Sequence, residues 1–151
     1  MKKYKTQRQT KRRTRKNKKR GGSSNNIKMD ISNITTGSKP TIFLPPLKIS
    51  TLVMYDVFKP SDNPDAPSTA WLHYLVINIP NGDISKGDVI MPYTGPSPPP
   101  GSGPHHYIFE LLAQTSPFIT SIQERSNFDI NQFKQQHNLF PRAKKQFIVN
   151  A

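Results

Sequence analysis

The chain has 151 residues, 22 Lys plus Arg against 9 Asp plus Glu, and a formal net charge of +13. Twelve of the basic side chains fall in residues 1–20, which hold no acid, so ten basic residues face nine acidic ones elsewhere and the tail carries +12. Zero cysteines exclude disulfides and thiolate metal sites, no apolar run nears the roughly 18–20 residues of a membrane helix, and 15 prolines argue against a helical bundle.

Lys2 to Arg20 is almost free of apolar residues, so it buries too little surface to offset the entropy of ordering. With the linker Gly21 to Asn26 it is expected to be a disordered basic tail over residues 1–26, leaving one domain over residues 27–151. A charge run this dense attracts polyanions, so Lys11, Arg12, Arg13, Arg15, Lys16, Lys18, Lys19 and Arg20 are the expected non-specific nucleic-acid contacts. The runs at residues 11–13 and 18–20 also suit nuclear import, which gives a cytoplasmic location with nuclear entry through the tail.

In the body, Ile27 to Ile34 alternates enough for a short edge strand, and Ile42 to Leu47 suits a strand entry broken by Pro45 and Pro46. Leu52 to Val57 predicts a buried strand, and Lys59 to Ser68 a loop rich in proline, Ser and Asp. Trp71 to Ile79 is the strongest strand; Leu72, Tyr74 and Val76 are expected on one face and His73, Leu75 and Ile77 on the other. An Asn81-Gly82 turn, a strand near Val89, a proline-rich loop from Tyr93 to Pro104 and a strand from Tyr107 to Ala113 follow. Asn131 to Asn138 reads as a short helix started by Asp129, and Phe147 to Val149 as a last strand. The sum is an all-β domain with one or two minor helices.

Three histidines fall where chemistry could sit: His73 inside the strongest strand, and His105 and His106 after the proline loop. A buried imidazole needs a partner, and the residues alone leave open a core histidine bonded to a carbonyl or a histidine lining an anion cavity. His105 and His106 are adjacent on an extended segment and point opposite ways, so they do not jointly hold a metal. With no HExxH, GxSxG or GxxxxGK[ST] run, the expectation is a non-enzyme without metal or cofactor.

Two blocks carry a family resemblance. Asn63-Pro64-Asp65-Ala66-Pro67-Ser68 followed by Trp71-Leu72-His73-Tyr74-Leu75-Val76-Ile77-Asn78 resembles the D-P-D-A-P-S…W-x-H-[WFY]-L-V-x-N signature of the phosphatidylethanolamine-binding proteins, the family of the Raf kinase inhibitor protein. Tyr93-x-Gly95, Pro98-Pro99 and Gly101-Ser102-Gly103-Pro104-His105-His106-Tyr107 are similar to its Y-x-G-x-x-P-P-x-G-x-G-x-H-R-Y run. Arg125 to Phe128 and Phe133 resemble its later R-x-x-F…F segment.

The resemblance implies a fold of two antiparallel sheets with a small anion pocket for phosphate-type or phospholipid head-group ligands, and a protein partner such as a kinase. Carried over by position, the pocket residues are Asp65, Pro67, His73, Pro98, Gly101, His105 and Tyr107, with Asp65 orienting a histidine; Asp56, Asn63, Trp71 and His106 are accessory. The chain departs from the pattern at Asn63, where the family has Asp, and at His106, where it has Arg. Val57 to Asp62 interrupts the strand that normally enters the first motif, which makes Asp56 the displaced counterpart of the leading Asp. A non-catalytic binding module is the expected function; the alternative is polyanion binding by the tail with the β domain as scaffold.

Overall fold

The computed structural model describes residues 28–34, 38–57 and 70–150. The expectations for the basic tail, and those for Asn63, Asp65 and Pro67, lie outside the described residues.

Seven strands and one α-helix follow in chain order: β1 (Asp30–Ser32), β2 (Thr41–Phe43), β3 (Ile49–Val57), β4 (Ala70–Pro80), β5 (Asp88–Met91), β6 (Pro104–Ala113), α1 (Ile130–His137) and β7 (Phe140–Asn150), with a 3-10 turn at Ile84–Lys86 between β4 and β5. β1 and β2 pair as a two-stranded antiparallel sheet, and the other five strands form an antiparallel sheet in the order β5-β4-β3-β6-β7. The fold is thus mostly β with two antiparallel sheets, as the resemblance implies. No helix among the described residues is long and apolar enough to cross a membrane.

β3 is central because it carries apolar side chains on both faces. Consecutive Leu52, Val53 and Met54 are all fully buried. Leu52 and Met54 pack with Met29, Ile31 and Leu44 from the small sheet and its neighbouring segments. Val53 and Tyr55 pack with Phe128, Phe133 and Leu139 around the helix on the other face. Full burial of such side chains contributes about 1.5–3 kcal/mol each, so the two clusters are the main source of stability.

The helix begins where Asp129 accepts a hydrogen bond from the Gln132 amide at 3.0 Å, the expected N-cap, and ends at Asn138 in the left-handed region (φ 54°). Phe133 fixes its inward face. Lys134 Nζ reaches Glu110 Oε1 at 2.6 Å, and the Tyr55 hydroxyl donates to Glu110 Oε2 at 2.9 Å. A carboxylate on an apolar sheet face is thereby matched on both oxygens.

Two departures from the expected pattern concern strands. β7 runs from Phe140 to Asn150 rather than over Phe147 to Val149 alone. Its first half reads FPRAKKQ, and as a half-exposed edge strand it has too few apolar positions to show a period. The other departure is in β4. Met54 pairs with Tyr74 and Tyr55 with Leu72, so one step along β3 spans two along β4 and His73 is the extra residue of a bulge. Leu72 therefore shares a face with Leu75 and Ile77, while Tyr74 and Val76 lie opposite. The strict alternation expected from the sequence fails at His73.

Candidate functional site

The bulge decides where the imidazole goes. His73 leaves the helix-side cluster and lines a cavity of about 430 Å³ with Asp56, Trp71, Thr94, Gly95, Ser97, Pro98, Pro99, His105 and Tyr107. Four segments converge there: the end of β3, the start of β4, the proline-rich loop and the start of β6. Their lining is largely aromatic and proline, with few polar atoms, as in small-ligand pockets.

His73 is held from two sides. Its Nδ1 lies 2.7 Å from the Thr94 carbonyl, which can only accept, so Nδ1 carries the proton. The Thr94 amide in turn donates to the His73 carbonyl at 2.9 Å. The ring is bonded to a carbonyl and also lines the cavity, so the two readings do not exclude each other in geometry. Burial holds its pKa below the usual value, against the opposite pull of the Thr94 carbonyl and Asp56. The ring is therefore neutral at pH 7, and Nε2 is an acceptor.

Arg125 fixes the strand under this ring. Its Nη1 donates to the Leu72 and His73 carbonyls, both at 3.1 Å, and Nη2 donates to the Pro92 carbonyl at 2.9 Å. The guanidinium also lies 5.3 Å from the centre of the Trp71 ring, whose centroid is 4.5 Å from that of His73.

On the opposite wall His105 is 5% exposed, and both of its ring nitrogens are engaged. Nδ1 lies 2.7 Å from Asp56 Oδ2, and Nε2 lies 2.8 Å from Ser102 Oγ. Ser102 Oγ–H donates to the Pro99 carbonyl at 2.6 Å. Its single proton is thus spent on that carbonyl and does not go to His105 Nε2. The order carboxylate, imidazole, hydroxyl resembles a nucleophile relay, but here the imidazole is not placed to take the serine proton. Asp56 Oδ1 is buried with no hydrogen-bond partner among the described residues.

Tyr107 closes the floor, its ring centroid 5.1 Å from His73 and 6.3 Å from His105. Burial and, after it, the Asp56 charge push its pKa up to about 12, while the Ser97 amide donates to it. The phenol stays protonated and remains a donor.

Of the residues singled out from sequence, His73, His105, Tyr107, Pro98, Asp56 and Trp71 come together at this cavity. Gly101 does not line it; it turns the loop before β6 at φ +80°. Nor does His106, which points to the other face of the sheet and sits 2.7 Å from Gln146 Nε2. The carboxylate at His105 is Asp56. The roles of Thr94, Ser102 and Arg125 are not visible in the sequence, because carbonyl and hydroxyl partners leave no trace in spacing. Among the described residues no three His, Asp or Glu side chains are grouped to hold a metal.

The profile of the family described as "Phosphatidylethanolamine-binding protein" matches residues 19–148. The chain belongs to the phosphatidylethanolamine-binding protein family. A putative odorant-binding protein A5 of Drosophila melanogaster is 34% identical over 90 residues, which are 50% of this chain and 43% of that protein. The chain thus spans less than half the length of that relative. The crystal structure of carboxypeptidase Y inhibitor complexed with its cognate proteinase is similar with a TM-score of 0.61 at 23% identity, covering 75% of this chain and 71% of that one. A phosphatidylethanolamine-binding protein of Plasmodium falciparum gives 0.50 at 23% identity over 76% and 72%. At such identities these structures speak to the fold.

Proposed function

We propose that the chain is a non-catalytic binding module whose cavity takes a phosphate-type or phospholipid head-group ligand. The observation that carries this reading is the meeting of His73, Asp56, His105 and Tyr107 in one cavity of about 430 Å³ walled by Trp71, Pro98 and Pro99. Tyr107 O–H offers a donor, His73 Nε2 an acceptor, and the Arg125 guanidinium adds positive potential behind the Trp71 ring. The resemblance of the Asn63 to Ser68 motif supports Asp65 and Pro67 as further ligand residues in this reading. Family membership supports binding rather than turnover, and the serine beside His105 has no base for its proton.

Protein contacts are a further part of the proposal. The fold neighbour named as a carboxypeptidase Y inhibitor is bound to its cognate proteinase, which supports a protein partner such as a proteinase; a kinase is what the motif resemblance implies. A second reading rests on the charge of the first 20 residues: the tail binds nucleic acid, and the body is a scaffold.

Titration with inorganic phosphate, followed by NMR of the imidazole protons, tests the pocket. Shifts at His73 and His105 are expected, and silence at both overturns the reading. Deleting residues 2–20 tests the tail: loss of DNA binding with steep salt dependence, and retention of the His73 response, assigns the two activities to separate parts.

A further inference from the structure

The large sheet has two outer edges, and they are built differently. β5 is four residues long and offers little to a neighbour. β7 is eleven residues long and pairs with β6 along its whole length on one side. Among the described residues, its other row of backbone N–H and C=O groups faces no strand. Features that guard an edge stop early along it. Pro141 lacks an N–H, and Arg142 is the extra residue of a bulge between the Leu112–Pro141 and Leu111–Ala143 pairs. From Ala143 to Asn150 the register is unbroken and holds no proline.

The charge along this edge has one sign. β7 holds Arg142, Lys144 and Lys145 and no acid. Arg142 and Lys144 line a cavity of about 360 Å³ together with Glu110 and Lys134. The carboxylate there is already matched, by Lys134 at 2.6 Å and by the Tyr55 hydroxyl at 2.9 Å. No described acid lies within ion-pair distance of Arg142, Lys144 or Lys145. Lys144 pairs with Glu110 and so lies on the helix side of the sheet, whereas Phe147 and Val149 pack half-buried on the side of the small sheet.

An edge of this kind takes an added strand, with backbone bonds supplying affinity and alternate side chains supplying selection. We propose that the outer edge of β7 from Ala143 to Asn150 docks an extended acidic segment of a partner protein, which joins the large sheet as a sixth strand. Carboxylates on one face of that segment meet Lys144 and Arg142, and apolar side chains on its other face continue the row of Phe147 and Val149. Charge selects this occupant over two others. The chain's own first 20 residues hold twelve cations and no acid, and a second copy of β7 brings three more cations. Like charges set opposite each other across a strand pair oppose both. The edge shares no residue with the cavity at His73, so failure of either reading leaves the other standing.

The test uses the full chain and a fluorescein-labelled peptide of about eight residues that alternates Val and Glu, so that every carboxylate lies on one face of a strand. Comparison peptides carry Gln or Lys at each Glu, and two further forms carry N-methyl groups at every Val or at every Glu. Because the basic tail also attracts a polyanion, the readout is local: hydrogen exchange of β7 amides by NMR, alongside Kd from fluorescence anisotropy. The Glu peptide is expected to slow exchange at the β7 amides that do not bond to β6. It should bind about tenfold more tightly than the Gln peptide, the scale of two or three exposed ion pairs. One N-methylated form should bind at least about tenfold more weakly than the other, because only one set of alternate amides faces the edge. Arg142→Glu with Lys144→Glu, both at exposed positions, should transfer the protection of β7 from the Glu peptide to the Lys peptide. Protection that this double variant leaves unchanged overturns the proposal, and so does equal binding of the two N-methylated forms. A change in anisotropy with no protection in β7 places the peptide on the tail and overturns it as well. Full protection of β7 without peptide assigns the edge to a second copy if it fades on dilution, or to the chain itself if it does not, and overturns the acidic partner either way.

Discussion

Asp56 Oδ2 and His105 Nδ1 are 2.7 Å apart although their residues are 49 positions apart in sequence. The contact is diagonal across the β3–β6 ladder, where Asp56 pairs with Tyr107 and Val57 with His106. The side chains are 10% and 6% exposed, so each is the other's main source of polar compensation.

Removing the acid should therefore cost more than a surface substitution would. Breaking a buried pair from one side typically costs about 3 kcal/mol or more. Asp56→Ala is expected to lower unfolding stability by about 3 kcal/mol in urea titration, and Asp56→Asn by clearly less because it keeps an acceptor. Equal losses from both would contradict the hydrogen-bond account.

The Arg125 fork makes a second prediction. Lysine keeps the charge but cannot reach three carbonyls or lie flat on Trp71. Arg125→Lys should cost about 1–2 kcal/mol, as a few lost hydrogen bonds do. Because Trp71 is the sole tryptophan, its emission reports the change directly. A red shift and higher quenching by acrylamide are expected; an unchanged spectrum would show that Arg125 does not hold the ring.

The acid side of the stability profile follows from two imidazoles. Burial lowers the pKa of His73 from its usual 6.5 and does the same at His137, stacked 4.2 Å from Phe118. For a base depressed on folding, the unfolded chain binds more protons between the two pKa values, so stability rises with pH there. The contribution is present above about pH 6.5 and is lost as pH falls toward the folded values. Chemical denaturation at pH 7.5 and 5.5 should show the loss, and the double substitution His73→Gln with His137→Gln should flatten it. An identical slope in that variant would move the cause elsewhere.

Glu110 and Lys134 provide a test of how the helix is tied to the sheet. Lys134→Met leaves a fully buried carboxylate with only the Tyr55 hydroxyl and should cost about 3 kcal/mol. Adding Glu110→Gln should restore more than half of that, since the charge is gone and the amide oxygen still accepts from Tyr55. A purely additive double variant would show that the pair is not coupled.

Most of the strands were legible because the signals were local. Trp71 to Ile79 is a run of β-formers bounded by turns, and Asp129 sits one residue before a short amphipathic segment. The motif blocks marked His73 and His105 for the same reason: residue type at fixed spacing. What stayed hidden depended on partners distant in the chain. No period reveals that His73 is an extra residue, because the bulge exists only in the pairing with β3. Arg125 is marked only as the start of the later R-x-x-F segment, and its role lies in three carbonyls on other segments. Asp56 was noticed as a displaced acid, yet only the register of β3 against β6 sets it beside His105.

β7 ends the large sheet among the described residues, and it carries Arg142, Lys144 and Lys145 with Phe140 and Ile148 more than half exposed. Two copies meeting edge to edge would bring these cations together, so the charges act as a repellent on a strand otherwise ready to extend a ladder. Charge is therefore expected to set whether copies of this domain meet at that edge. High salt, or exchange of the three cations for neutral residues, should convert a dispersed protein into one that grows by strand addition, visible as a rise in light scattering with no loss of native fold.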